Sequence, residues 1–153
     1  MQILTNNPQL TRRLFLCGGF TVSVGSIAWS QMNSLPFDGN AIDPPTAHKL
    51  ALAGKITLLD IRRPDEWKKT GSGQGAHRLD LRRKDFITVL DGILAGDRSK
   101  PIALICARGV RSNRMSQKLI KAGFTNIIDV PEGMLGSKTG PGWIKRNLPL
   151  NRS

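Results

Sequence analysis

Tyrosine is absent from this chain, and the other aromatics are sparse: 5 Phe and 3 Trp in 153 residues. A protein that stacks single-stranded bases needs aromatic faces beside its cations. The basic run Arg82-Arg83-Lys84 has none interleaved, so nucleic acid is not expected as a partner. Acidic residues are scarce as well, 11 against 23 Lys and Arg, which leaves a formal charge of +12. Such a surface attracts anions, acidic partners or anionic membrane, although a solvated basic surface explains it as simply. Cysteine is limited to Cys17 and Cys106, and histidine to His48 and His77, all in separate segments. They offer no metal-ligand spacing, so no metal is expected, and no motif calls for a cofactor. No internal repeat or low-complexity tract occurs. What is present, 39% hydrophobic and 22% charged residues in a chain of this length, suits a single domain with a modest core.

The N-terminus differs from the rest, with no acidic residue before Asp38. The apolar run from Leu14 to Trp29 is 16 residues, short for a membrane-spanning helix. It follows Arg12-Arg13 and ends in Ala-Trp-Ser, giving the charged, apolar and small-residue parts of an export signal. The pattern from Thr11 to Leu16 resembles the twin-arginine signal of bacteria, which addresses folded proteins for export. Cys17 stands where that pattern often has a basic residue. Residues 1–30 are therefore expected to be an export signal, 31–40 a linker and 41–150 the folded domain. The expected destination is the periplasm, with a membrane tether if the signal is not cleaved. Cleavage would remove Cys17 and leave Cys106 alone. A lone thiol in an oxidising compartment is a liability unless it is buried or used.

Along the domain, apolar patterns alternate between short runs and helical stripes. Residues 45–54 carry helical spacing that stops at Gly54. "ITLLDI", 56–61, reads as a buried strand. A short helix begins at Pro64 and stops at Gly71. "SGQGAHRLDL" reads as loop followed by a short strand near Arg78 to Leu81. Phe86, Val89, Leu90, Ile93 and Leu94 form a helical stripe. "PIALIC", 101–106, is a second buried strand. Met115, Leu119 and Ile120 are expected on one face of the next helix, capped at Gly123. "TNIIDV" is a third strand, and Trp143 falls in a final one-turn helix. This alternation predicts an α/β fold with a central, mostly parallel sheet and helices on both faces. Ligands in such folds sit beyond the carboxyl ends of the strands.

"CARGVRS", 106–112, falls at such a junction. Gly109 permits a curl that other residues avoid. The curl turns successive N–H groups inward as an anion nest, and the helix start adds its positive end. Arg108 and Arg111 bring further charge. This field favours the thiolate, the nucleophilic form of cysteine, and neither histidine is needed as a base. The bland alternative is a small core cysteine at a strand end; the Gly and paired Arg at this spacing favour the reactive one.

The stretch resembles the active-site loop of rhodanese-type sulfurtransferases, Cys-x-x-Gly-x-Arg/Thr-Ser/Ala. "LLDIRRPDEW" is similar to the family's Leu-Ile-Asp-Val-Arg segment. "LIKAGFTNIIDVPEGMLGSKTGPGW" is similar to its Gly-Phe…Gly-Gly…Trp segment, and together they cover roughly 41–150 in the family's order. The resemblance implies the rhodanese fold and sulfane-sulfur chemistry. Cys106 would take sulfur as a persulfide from a small anionic donor such as thiosulfate and pass it to cyanide or a thiol. A protein acceptor or reductant is a further partner. The N–H groups of Ala107, Arg108, Gly109, Val110 and Arg111, with the side chains of Arg111 and Ser112, would hold the persulfide and the donor's oxygens, and Arg108 would steer the donor. Asp60 and Arg62 match the family's Asp-x-Arg, where loop support is expected. Two departures stand out: Ser72 replaces the His of Gly-His-Ile-Pro-Gly-Ala, and Glu132 precedes a single glycine where the family has two. Two other readings remain. One is a phosphatase or arsenate reductase, disfavoured because only four residues separate Cys106 from Arg111. The other is a non-catalytic module that binds an anion or a partner.

Overall fold

A computed structural model describes residues 39–152. The expected signal, Cys17 and nearly all of the expected linker lie outside the described residues. Strands are β1 (Asn40–Ala41), β2 (Thr57–Asp60), β3 (Ser72–Gly73), β4 (Ala76–Arg78), β5 (Ile102–Ile105), β6 (Ile127–Asp129) and β7 (Leu150–Asn151). Helices are α1 (Pro44–Leu52), α2 (Pro64–Thr70), α3 (Phe86–Leu94), α4 (Val110–Lys121) and α5 (Gly142–Lys145).

Five strands form one sheet in the order β1-β6-β5-β2-β4, and every neighbouring pair is parallel. Parallel strands need covered faces, and alternate residues supply two cores. Leu59, Ile102, Leu104 and Ile127 pack with Phe86, Leu90 and Leu94 of α3 and Met115 and Leu119 of α4. Leu58, Ala103, Ile105 and Ile128 pack on the other face with Ala47 of α1 and Trp143 of α5. The expected α/β architecture, with helices on both faces, is the one observed.

Local chemistry sets the element ends. Asp43 caps α1 by accepting the Thr46 N–H at 2.9 Å, with Pro44 at the first helical position. Pro64 opens α2, whose third residue, Glu66, accepts the Arg63 N–H at 3.1 Å.

Four expectations are corrected. Ile120 is 50% exposed, because the buried stripe of α4 is Ser112, Met115, Ser116 and Leu119, and Ile120 lies off it. The strand placed near Arg78–Leu81 is Ala76–Arg78, where it pairs with β2 from Leu58 to Asp60. Ser72–Gly73 is not plain loop: it pairs antiparallel with Leu150–Asn151. Asn40, assigned to the linker, already pairs with Ile128.

Candidate active site

β5 ends at Ile105 and α4 begins at Val110, so Cys106 to Gly109 make the whole turn between strand and helix. Gly109 is the N-cap of α4 with φ +83°. That backbone state is costly for any side chain. The space forbids one as well, since a Cβ on Gly109 would run into the Pro131 carbonyl oxygen. Gly133, φ +68°, approaches from the loop after β6, and a Cβ there would sit 2.5 Å from the Ala107 oxygen. The two glycines let the post-β6 loop press against the cysteine loop. Met134 and Leu135 N–H groups then donate to the Cys106 and Ala107 carbonyls, each at 2.8 Å.

With its carbonyls tied from behind, the loop leaves its donors free. Among the described residues, no acceptor takes the backbone N–H of Ala107, Arg108, Gly109, Val110 or Arg111. Ser112 N–H donates to Cys106 Sγ at 3.4 Å. The Ser112 hydroxyl lies 3.7 Å from the sulfur and donates to the Gly109 carbonyl at 3.0 Å, bracing the curl. The sulfur is sunk in this nest, with Cys106 only 1% exposed. Arg108 and Val110 point their side chains outward and Ala107 is buried, so Val110 offers the nest only its backbone.

Arg111, expected to help hold the donor's oxygens, is itself paired with a carboxylate. Its Nη1 and Nη2 donate to the two Glu66 oxygens at 2.7 and 2.6 Å. This fork drives the Glu66 carboxyl down to about 2, chiefly through the Arg111 hydrogen bonds. The Arg111 guanidinium is raised in turn, mainly by Glu66 and to a smaller degree by Cys106, within whose reach it lies. A guanidinium has more donors than this pair uses, so Arg111 is aimed by Glu66 and still able to serve an anion. The sequence shows Glu66 only as part of the "RPDEW" resemblance; the partnership spans 45 residues.

Asp129 is a second residue that sequence reading missed. It ends β6, the strand beside β5, at 4% exposure, and its Oδ1 meets no hydrogen-bond partner. Burial pushes its carboxyl up to about 6, against a lowering by the nearby Ser112 side chain. The available signal was its place at the carboxyl end of an expected strand.

Support comes from Asp60 and Arg62, the pair expected to give it, and from two further contacts. Arg62, 1% exposed, donates to Asp60 at 2.9 and 2.6 Å, to Thr70 Oγ1 at 2.9 Å and to the Gly71 carbonyl at 2.6 Å. It therefore pins the chain that leads into Ser72. Ser72 is buried and accepts from Arg78 Nε at 2.9 Å. Glu132 binds the Gly142 N–H at 2.9 Å and Arg146 at 2.8 Å, fastening α5 to the post-β6 loop. His48 packs on Trp143 and Gln74, and His77 is exposed in β4; neither contacts the sulfur. A cavity of about 430 Å³ lies beside the nest, lined by Arg108, Val110, Arg114, Asp129 and Lys138 among others, but not by Cys106.

A buried cysteine at the end of a parallel strand, followed by a tight glycine turn into a helix, is the arrangement expected of a rhodanese-like domain. The chain belongs to the rhodanese-like domain family, whose pattern matches residues 43–138. Its fold is similar to a polysulfide-sulfur transferase homodimer from Wolinella succinogenes, with a TM-score of 0.60 and 26% identity, covering 82% of this chain and 87% of that one. It is 26% identical to the uncharacterized protein YibN of Escherichia coli K12 over 136 residues, 83% of this chain and 89% of YibN. It is 29% identical over 98 residues to a tRNA uridine(34) hydroxylase of Deinococcus radiodurans, covering 63% of this chain. The match spans only 32% of that hydroxylase.

Proposed function

We propose that the protein is a sulfurtransferase that carries sulfane sulfur on Cys106. The observation that supports this most is the sulfur at the floor of a loop whose N–H groups have no acceptor among the described residues. Such donors are preorganised for charge that develops during reaction. The Cys106 thiolate attacks the outer sulfur of thiosulfate. The S–S bond of the donor breaks, sulfite leaves with the bonding pair, and Cys106 holds a persulfide. Cyanide or a thiolate then attacks the terminal sulfur. The persulfide bond breaks, thiocyanate or a new persulfide departs, and the Cys106 thiolate returns. The N–H groups of residues 107–111 hold the anionic sulfur through both steps, Ser112 N–H steadies Sγ, and Arg111 faces the donor's oxygens. Polysulfide, for which the Wolinella succinogenes transferase is named, is the second donor to test.

Phosphoryl transfer is the weaker reading. Its acid would be Asp129, which is buried beside Ser112, and the loop encloses only four residues between Cys106 and Arg111. Thiocyanate formation from thiosulfate and cyanide tests the proposal. Turnover is expected from the wild type and is expected to vanish in Cys106→Ser. Turnover of a phosphate ester with none of thiosulfate would reverse the assignment.

A further inference from the structure

The active-site loop opens at one end onto a trough. The cavity of about 430 Å³ carries Arg108, Arg114 and Lys138, and a second of about 350 Å³ carries Arg114, Gln117, Lys118 and Lys121. Arg114 borders both cavities, and both lie against α4. Val110, Arg114, Gln117, Lys118 and Lys121 recur at helical spacing and share a face. At 1.5 Å per residue, Val110 to Lys121 spans about 16 Å. That length exceeds the need of a small donor, which the N–H nest alone can hold.

The charge along this face is not neutralised from within. Arg108, Arg114, Lys118, Lys121 and Lys138 have no ion-pair partner among the described residues. Carboxylates elsewhere are committed: Glu66 to Arg111, Glu132 to Arg146, Asp91 to Arg98. Among the described residues, the one acid lining the trough is Asp129, which is buried. Val110, 59% exposed, adds an apolar foothold next to the cysteine loop. Among the described residues, no aromatic lines either cavity, so they offer none of the stacking that single-stranded RNA uses. Unpaired cations beside an exposed aliphatic residue complement an acidic polypeptide.

We infer that this trough docks an acidic segment of a partner protein, which presents its own cysteine to Cys106 as the sulfur acceptor. The inference rests on the sulfurtransferase reading. The partner's thiolate attacks the terminal sulfur of the Cys106 persulfide. The persulfide S–S bond breaks, the partner leaves with a persulfide, and the Cys106 thiolate is restored.

The test uses the full chain with thiosulfate as donor and two short synthetic peptides as acceptors, one a cysteine beside a Glu run and one with Gln in place of each Glu. At low salt the Glu peptide is expected to show a KM about tenfold below that of the Gln peptide. A triple charge reversal, Arg114→Glu, Lys118→Glu and Lys121→Glu, is expected to erase that advantage while leaving kcat with cyanide, read at saturating thiosulfate, within about twofold of wild type, because saturation removes the steering of the donor and cyanide needs no docking. Equal KM values for the two peptides, or an advantage that survives the reversal, would overturn the inference. So would an oligoribonucleotide that competes at lower concentration than the Glu peptide, which would give the face to nucleic acid. Absence of cyanide turnover in the wild type would count against the sulfurtransferase reading instead. Docking is then read by fluorescence anisotropy of the labelled Glu peptide. Binding that is lost in the triple variant sustains it, and no binding refutes it.

Discussion

Gly109 and Gly133 let two stretches of backbone share a space that a single methyl group would fill. Gly109→Ala meets both a left-handed backbone and the rigid Pro131 carbonyl. Gly54 is a control: its φ is +64° but nothing lies within 4 Å of a Cβ placed there. Gly54→Ala is therefore expected to cost only the conformational term, about 1 kcal/mol. Gly109→Ala is expected to cost above about 3 kcal/mol and to lower kcat/KM roughly 100-fold, as the N–H groups swing off the sulfur. Urea denaturation and thiosulfate turnover of the pair read both effects; equal costs at the two sites would mean the loop yields. Cys106, Gly109 and Ser112 were legible in the sequence because the turn is local, its residue types dictated by one short curl. Gly133's part was hidden, because its partner, Ala107, lies in a different segment and meets it only in the fold.

Among the elements, α2 has no fully buried residue yet carries the group that aims Arg111. Its start at Pro64 and stop at Gly71 follow from proline and glycine, but its relation to α4 does not, since that pair is set by how both helices pack on the sheet. Glu66→Gln keeps the shape and removes the charge. The pair is partly exposed, with side chains 30% and 18% accessible, so stability is expected to fall by no more than about 1 kcal/mol. As a positioning residue, Glu66 is expected to show itself as a rise in KM for thiosulfate of about tenfold with kcat little changed. A variant that loses kcat alone would contradict that role. Because the Glu66 carboxyl is held down at about 2, the stability it contributes is present above its ordinary range near 4.5 and fades as pH falls toward 2. Activity losses at pH 5 are thus not its doing. The edge pairing of β3 with β7 was illegible for a different reason: each strand is two residues long, too short for period-two alternation to register. At α4, three apolar residues suggested one face, and the buried serines that complete the true stripe, Ser112 and Ser116, carry no hydropathy signal.

At the scale of the whole molecule, the parallel sheet with two covered faces was readable from four-residue apolar runs such as Ile102–Ile105, which are buried throughout. The buried carboxylate at the end of β6 was not, since hydropathy marks Asp129 as a surface residue. Its raised pKa links global stability to pH. The neutral acid is favoured in the folded state, so the stability it allows is complete below its ordinary value of 3.8 and is lost as pH rises through about 6. Asp129→Asn is expected to gain roughly 2–3 kcal/mol over wild type at pH 8 and to converge with it near pH 4. Denaturation series across that range check this, and a variant less stable than wild type at pH 8 would mean that the ionised carboxylate is satisfied in solution. The claim on which the account turns is that Cys106 carries sulfur, and mass spectrometry after incubation of the reduced full chain with thiosulfate tests it most directly. The expected result is a gain of one sulfur atom on the peptide containing Cys106, removed by cyanide and absent in Cys106→Ser. An unmodified Cys106 with either thiosulfate or polysulfide, or sulfur found on Cys17 instead, would contradict the account.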